Sequence, residues 1–419
     1  MKSYIVSLRQ VLLPALVALM FVTASVSVYR VMGKKADEKA IDLYSYWYAG
    51  HFIWQGRDPY QASLQNQAPY LPVHYLDGPT VTEGRVGRAN VQAMPANTAP
   101  VVLIMALLSR LSWPTAATIW RFLNLGFCFA ITWQVMRLMD RPPLSLHGLL
   151  LLLMLFSLIA TREAIETGQT TLLVLVCMLA AVLLGPSRPI AAGILLGIAL
   201  SKYSLTFPAF LLFVYKKWYA SAVTSLAVQL VGLIAITLIG GTAPQNVFAS
   251  YLQILTLHTD LPGMHLASVL KSLGAITYLI IGLISIVLLT VLAYWYRRNS
   301  YAHVSHSTTR VDVLLLTIVM LWNLLTFYHR RYDHVAAILY IGFILAVIGA
   351  ESGAFTLQSK WRLGLYTLTG ACLAVWALPL YVVTGLAAYT WLFNLGCLAA
   401  LGACVALLFK TNPSHVRHS

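Results

Sequence analysis

Charge is scarce in this sequence. Of 419 residues only 10 % are Asp, Glu, Lys or Arg, while 59 % are hydrophobic; a soluble domain carries about 25 % charged residues. The shortage excludes an ordinary soluble domain, and apolar runs of roughly bilayer-crossing length recur along the chain. Acids are the scarcer sign, with 13 Asp and Glu against 28 Lys and Arg and a net charge of +15. The basic excess sits mainly in short loops beside apolar runs, where it sets orientation in the membrane, so no nucleic-acid partner is expected. All five cysteines (Cys128, Cys177, Cys372, Cys397, Cys404) fall inside apolar runs. That excludes a disulfide framework or a CxxC site and leaves small buried hydrophobes. There is no Gly-rich phosphate loop in the inner loops, no low-complexity tract and no clear inverted repeat of the kind many transporters show. The basic, apolar start (Met1 to Arg30) has no convincing A-x-A site, so a retained first helix is expected rather than a cleaved signal peptide.

What is present is a series of apolar segments. The first covers about Val11–Val31. Others are expected near 114–137, 146–161, 170–185, 189–200, 205–215, 219–239, 275–296, 311–328, 334–350, 362–381 and 385–409. The two around Lys202 are short and form either two spans or one broken, re-entrant pair. Lys2 and Arg9 hold the start inside. Arg137/Arg141, Arg188, Lys216/Lys217, Arg297/Arg298/Arg310, Lys360/Arg362 and Lys410/Arg417 then all land on the same side. The expectation is an all-α polytopic membrane protein, one domain over 1–419, with about 12 transmembrane helices and both termini cytoplasmic. Its first outer loop, 32–112, is large and bears juxtamembrane helices. Val101–Leu111 is too short to span comfortably and reads as a helix along the outer surface.

Ten of the thirteen acids fall on the outer side, a bias that topology does not demand. The longest polar segment opens with Asp42-Leu-Tyr-Ser-Tyr46-Trp47-Tyr, a short aromatic helix suited to headgroup depth, where an acid costs free energy unless solvated, paired or used. Asp58-Pro-Tyr60 reads as the turn that closes it, or as a second functional acid. Further outer segments carry Arg162-Glu-Ala-Ile-Glu-Thr-Gly-Gln169, Lys202-Tyr203, His258 with His265, and Tyr328-His329-Arg330-Arg331-Tyr-Asp333-His334. Arg330 and Arg331 run against the positive-inside trend and suit an anionic ligand near the bilayer; arginine forks and a lysine point charge fit phosphate. Arg162 with Glu163 or Glu166 reads equally as a structural ion pair. Lone His74 and His258 read as loop residues. His329 and His334 are five apart, unlike the HExxH zinc spacing, so no metal is expected, and no other cofactor.

Placement of this kind fits group transfer from a lipid-linked phosphate. A carboxylate serves as general base on an acceptor hydroxyl, cations stabilise the leaving phosphate, and aromatic rings give flat surfaces to sugars and prenyl chains. The chain also resembles glycosyltransferase family 87, integral-membrane enzymes of the GT-C fold. The resemblance rests on Asp42…Tyr46-Trp47…Ala49-Gly50, Gly56-Arg-Asp58-Pro-Tyr60 and Thr98-Ala-Pro100. It continues through Gly168-Gln169, Ala192-Gly193…Leu200-Ser-Lys202-Tyr203 and Trp322…Tyr332-Asp333-His334. It implies a polyprenyl-phosphate sugar donor, mannose foremost, and an acceptor that is a lipid or glycan. Asp42 would be the base, with His334 and His329 assisting. Lys202, Arg330, Arg331 and Arg162 would hold the donor phosphate. Tyr46, Trp47, Asp58, Tyr60, Gln169, Tyr203, His265 and Asp333 would line the substrate. The expected setting is the bacterial inner membrane, with the active site periplasmic. The chain departs from the family pattern at Ala99-Pro100, where Pro-Pro is common, at Gly263-Met-His265-Leu-Ala-Ser268, and at the Arg330-Arg331 pair. Two other readings remain: a transporter or flippase for a lipid-linked anion, and an O-antigen polymerase or ligase.

Overall fold

The computed structural model describes residues 17–18, 20–33, 35–38, 40–65, 94–259, 265–266, 275–299, 310–327, 330–348, 359–377 and 380–410. His74, Lys271 and His329 lie outside them. Among the described residues the chain is helical with no strand. The helices are α1 (Met20–Met32), α2 (Ile41–Trp54), α3 (Pro59–Gln65), α4 (Ala99–Ala106), α5 (Trp113–Leu138), α6 (Leu146–Ser157) and α7 (Ile159–Thr167). They continue as α8 (Thr171–Leu184), α9 (Pro189–Ala199), α10 (Tyr203–Tyr215), α11 (Tyr219–Gly240) and α12 (Pro244–Thr259). The last are α13 (Ala275–Asn299), α14 (Arg310–Thr326), α15 (Ile338–Ile348), α16 (Ser359–Ala377) and α17 (Leu380–Lys410).

Three stretches among the described residues are long and apolar enough to cross a membrane, Pro189–Tyr215, Tyr219–Gly240 and Ala388–Phe409. The bent pair α6–α7 is a fourth if counted as one. The expected segment 146–161 is broken: Leu158 is extended (φ −64°, ψ 128°), and the two helices meet at 64°. Pro189–Tyr215 does not run straight. Lys202 leaves helical geometry (φ −116°, ψ 64°), and packing on both sides of it shows the chain doubling back. A Cβ on Gly197 would meet Val228 Cβ at 2.5 Å, and one on Gly193 would meet Thr224, so α9 runs parallel to α11. Gly185, just before α9, touches Trp218, just before α11. The chain has therefore returned to its starting end by Trp218, and Lys202 is the apex of a helical hairpin.

That apex is not at the rim. Gln229 Nε2 donates to Gly197 O (2.5 Å), Gln229 Oε1 accepts from Thr98 Oγ1 (2.6 Å), and Thr98 N donates to Ser201 O (3.1 Å). Lys202 is thus level with the region of Gln229, while α11 continues to Gly240, against the backbone of Asp58. At 1.5 Å per residue the apex lies on the order of 10 Å below the Gly240 end. Helices α8 and α14 are buried on nearly every side and form the centre. By contrast α11 and α13 expose Val223, Leu230, Leu238, Leu279 and Leu283, the surface expected of helices against lipid.

Candidate active site

Three chain breaks converge on the Lys202 apex. The first is the end of α7, where Gly168 adopts φ +71° to close the helix, a left-handed conformation that favours glycine. No side chain would fit there either, since a Cβ would stand 2.6 Å from Leu43 Cβ on α2. This close approach brings the N-terminal turn of α2, and with it Asp42, against Gln169. Trp120 Nε1 donates to Gly168 O (2.9 Å) and holds the turn from the other side. The second break is Lys202 itself. The third is the turn of 3₁₀ helix Arg331–Ala337, where Asp333 Oδ2 accepts from Arg330 N (3.3 Å).

At the centre, Lys202 Nζ pairs with Asp333 Oδ1 at 2.5 Å, donates to Thr171 Oγ1 at 2.6 Å and reaches Gln169 Oε1 at 3.4 Å. The Thr171 hydroxyl passes its proton toward Asp333 Oδ1 (2.8 Å). A lysine has three N–H donors, so the ammonium is fully engaged, and its charge also lies 4.6 Å from the Tyr332 ring centroid. The longest contact, to Gln169, is the one a ligand oxygen replaces at least cost.

Asp42 is half-buried and lies within hydrogen-bonding reach of the Gln169 and Thr167 side chains, in the electrostatic range of Arg330 and Lys202. Burial pushes its carboxyl above the ordinary aspartate value; Gln169, Arg330, Thr167 and Lys202 pull it back only in part. Tyr46, one helical turn on, points to Thr170 and feels both Asp42 and Asp333. Arg331 pairs with Glu163 at 2.9 Å, and Arg162 lies 4.0 Å from Glu166. Of the two partners open to Arg162 in the sequence, Glu166 is the one it faces. The cluster therefore sets four cations (Lys202, Arg330, Arg331, Arg162) against four carboxylates (Asp42, Asp333, Glu163, Glu166).

Other expected residues sit elsewhere. Tyr60 is buried one layer out, its hydroxyl donating to Asn97 O (2.9 Å), and Asn97 Nδ2 donates to Thr170 Oγ1 (2.6 Å). Asp58 does more than close α2: its Oδ1 accepts from Tyr60 N (2.9 Å) and caps α3, while its Oδ2 is buried without a partner. Burial raises its carboxyl above the ordinary range too. Trp47 lies on the far face of α2 from Asp42, donating to Leu111 O (3.1 Å). His334 is buried, its ring stacked on Phe393 of α17 at 3.3 Å between centroids. Tyr203 is exposed to 41 %. His265 is half-buried.

The residues sequence reasoning passed over are neutral or apparently isolated. Thr171, Thr170 and Asn97 carry the polar chain from Tyr60 to Lys202, and hydroxyls at helix starts have no distinctive pattern. His258 read as a loop residue but lies in the last turn of α12, with Nε2 donating to Met94 O (3.2 Å). Burial lowers its pKa to about 4, the Met94 bond opposes this, and Arg330 lowers it further.

With this geometry in hand, comparison with known proteins gives one finding. The family model described as glycosyltransferase family 87 matches residues 97–348, more than half of the chain. No curated protein and no solved structure matches it. The matched region holds Asn97, Gln169, Thr171, Lys202, Arg330 and Asp333. Asp42 lies before it and joins the cluster through the Gly168 contact.

Proposed function

Since the chain belongs to glycosyltransferase family 87, we propose that it moves a hexose, mannose foremost, from a polyprenyl-phosphate donor to a hydroxyl of a lipid or glycan acceptor. The observation that carries this reading is the cluster in which Asp42 lies in electrostatic range of Lys202 and Arg330, groups supplied by three distant parts of the chain.

In the proposed reaction the Asp42 carboxylate takes the proton of the acceptor hydroxyl. The acceptor oxygen bonds to the anomeric carbon from the face opposite the phosphate, which inverts its configuration. The anomeric carbon–oxygen bond breaks and polyprenyl phosphate leaves with the electron pair. Lys202, Arg330 and Arg331 stabilise the charge that grows on that oxygen. Asp333 and Thr171 hold the Lys202 ammonium in place, and Tyr46 and Gln169 border the sugar. In this reading the pocket opens to the periplasm of a bacterial inner membrane, and about twelve crossings leave both termini cytoplasmic. His334, stacked on Phe393, steadies the Arg331–Ala337 turn.

Membranes containing the protein and polyprenyl-phosphate mannose with radiolabelled sugar test the proposal. The wild type forms labelled product, and Asp42→Asn lowers kcat by about 10²-fold or more, the usual contribution of a positioned base. Wild-type turnover in Asp42→Asn removes the base assignment. No product from any polyprenyl-linked hexose removes the donor.

A further inference from the structure

The face of α2 opposite Asp42 carries a separate feature, outside the Lys202 cluster. Trp47, His51 and Trp113 pack ring to ring, with centroids 4.3 Å apart for Trp47–His51 and 5.5 Å for Trp47–Trp113. Tyr44 meets Trp113 edge-on at 5.2 Å. The indoles are fixed to neighbouring backbone: Trp54 Nε1 donates to Ala106 O (2.9 Å), and Trp47 Nε1 donates to Leu111 O (3.1 Å). The array continues through Tyr48, stacked on Tyr44, to Phe52, and its two edges each carry one of two arginines from distant parts of the chain. Arg110 sits 3.8 Å above the Trp54 ring and Arg57 5.0 Å above Phe52. Both are exposed, and neither has a carboxylate partner among the described residues.

A neighbouring helix indicates where this shelf lies relative to the membrane. Gly240, the last residue of a helix long and apolar enough to cross a membrane, lies against Asp58, the neighbour of Arg57. Beside Arg110 the surface is apolar and exposed, with Leu107 at 63 % and Trp54 at 45 %. An apolar strip with arginines along its edge, at the end of a crossing helix, is what a surface half-sunk in a leaflet presents. A guanidinium stacked on a ring keeps its N–H edge outward, where it matches two oxygens of a phosphate. Interfacial arginines left without carboxylates call for an anion from outside the chain.

We propose that the α2–α4 shelf is a binding site for anionic phospholipid headgroups of the adjacent leaflet, with Arg57 and Arg110 as phosphate forks on an aromatic floor. The site is separate from the Lys202 cluster and does not depend on the transfer reaction.

Native mass spectrometry of the full chain, stripped of lipid in detergent and offered equimolar phosphatidylglycerol and phosphatidylcholine, tests it. The wild type retains several-fold more phosphatidylglycerol. Arg57→Gln/Arg110→Gln brings the two lipids to near parity, with phosphatidylcholine adducts unchanged as the sign of an intact fold. Arg188→Gln, at the opposite end of the α9–α11 packing, keeps the preference. Should the Gln pair fail to fold, Arg57→Lys/Arg110→Lys takes its place; it keeps the charge, loses the fork and shows a reduced preference. Equal retention of the two lipids by the wild type overturns the proposal. So does an undiminished preference in the variant pair, or an equal loss in Arg188→Gln.

Discussion

Asp42 stands where burial opposes the charge that its proposed role as base needs. Its carboxyl is raised above the ordinary value, so the folded state favours the protonated form. Ionisation costs stability as pH rises from the unfolded-state value through the folded one. Asp42→Asn removes that cost. It is expected to raise the melting temperature of the purified protein at neutral pH, by an amount that shrinks in acid, while activity is lost. An equal or lower melting temperature would show that Asp42 is structurally comfortable. If Asp42 is the base, the same shift should place the acid limb of the kcat/KM profile above the usual carboxylate range, as a pH–rate profile measures. His258 behaves in the opposite sense. Its folded pKa of about 4 lies below its ordinary 6.5, so acid protonates the unfolded chain first. Stability then falls between about pH 6.5 and 4, on the order of 3 kcal/mol in all. Thermal unfolding of His258→Gln, which keeps a donor for Met94 O, should lose most of that acid sensitivity.

Among elements, the sequence was legible where periodicity was unambiguous and less so at breaks. The segments expected at 114–137, 219–239 and 275–296 appear as helices within a few residues of those limits. The break at Leu158 was not visible, because neither Ser157 nor Leu158 is a helix breaker and the bend is set by packing. The turn at Lys202 was visible only as two short segments with a charge between them. What decides it is the match of Gly193 and Gly197 with Ser221, Thr224 and Val228, a relation between distant segments. Asp42, Lys202 and Asp333 stood out because a charged side chain is conspicuous among apolar neighbours. Thr170, Thr171 and Asn97 resemble many other polar residues and gain meaning only from their bonds. A second lysine–aspartate pair, Lys216 Nζ to Asp312 Oδ2 at 2.8 Å with both side chains 2 % exposed, ties the end of α10 to the start of α14. Removing one partner of a buried pair costs about 3–5 kcal/mol. Asp312→Asn should therefore lower stability by that amount, and Lys216→Met/Asp312→Leu should recover much of it. Thermal or denaturant unfolding in detergent measures both.

For the whole molecule, the doubling back at Lys202 has a consequence for sidedness. Arg188 and Lys217 flank the same end of the α9–α11 packing, whereas Arg57 neighbours the Gly240 end. In sealed vesicles, Arg188→Cys and Lys217→Cys should react with a membrane-impermeant thiol reagent from one side and Arg57→Cys from the other. The five native cysteines are buried and give a low background. Reaction of Arg188→Cys and Lys217→Cys from opposite sides would mean that Pro189–Tyr215 crosses in a single pass.

The near-balance of basic and acidic groups around Lys202 bears on the selectivity of the proposed reaction. A cluster whose charges largely satisfy one another exerts little long-range pull, so a small mobile anion gains little net attraction by approaching and must pry an existing pair apart. A phosphate carried on a long hydrocarbon arrives differently: the membrane has already concentrated it, and its tail compensates for the rearrangement. In the proposed reaction this near-balance would act as a filter, favouring lipid-borne phosphate over the dissolved ion without any residue that recognises the lipid.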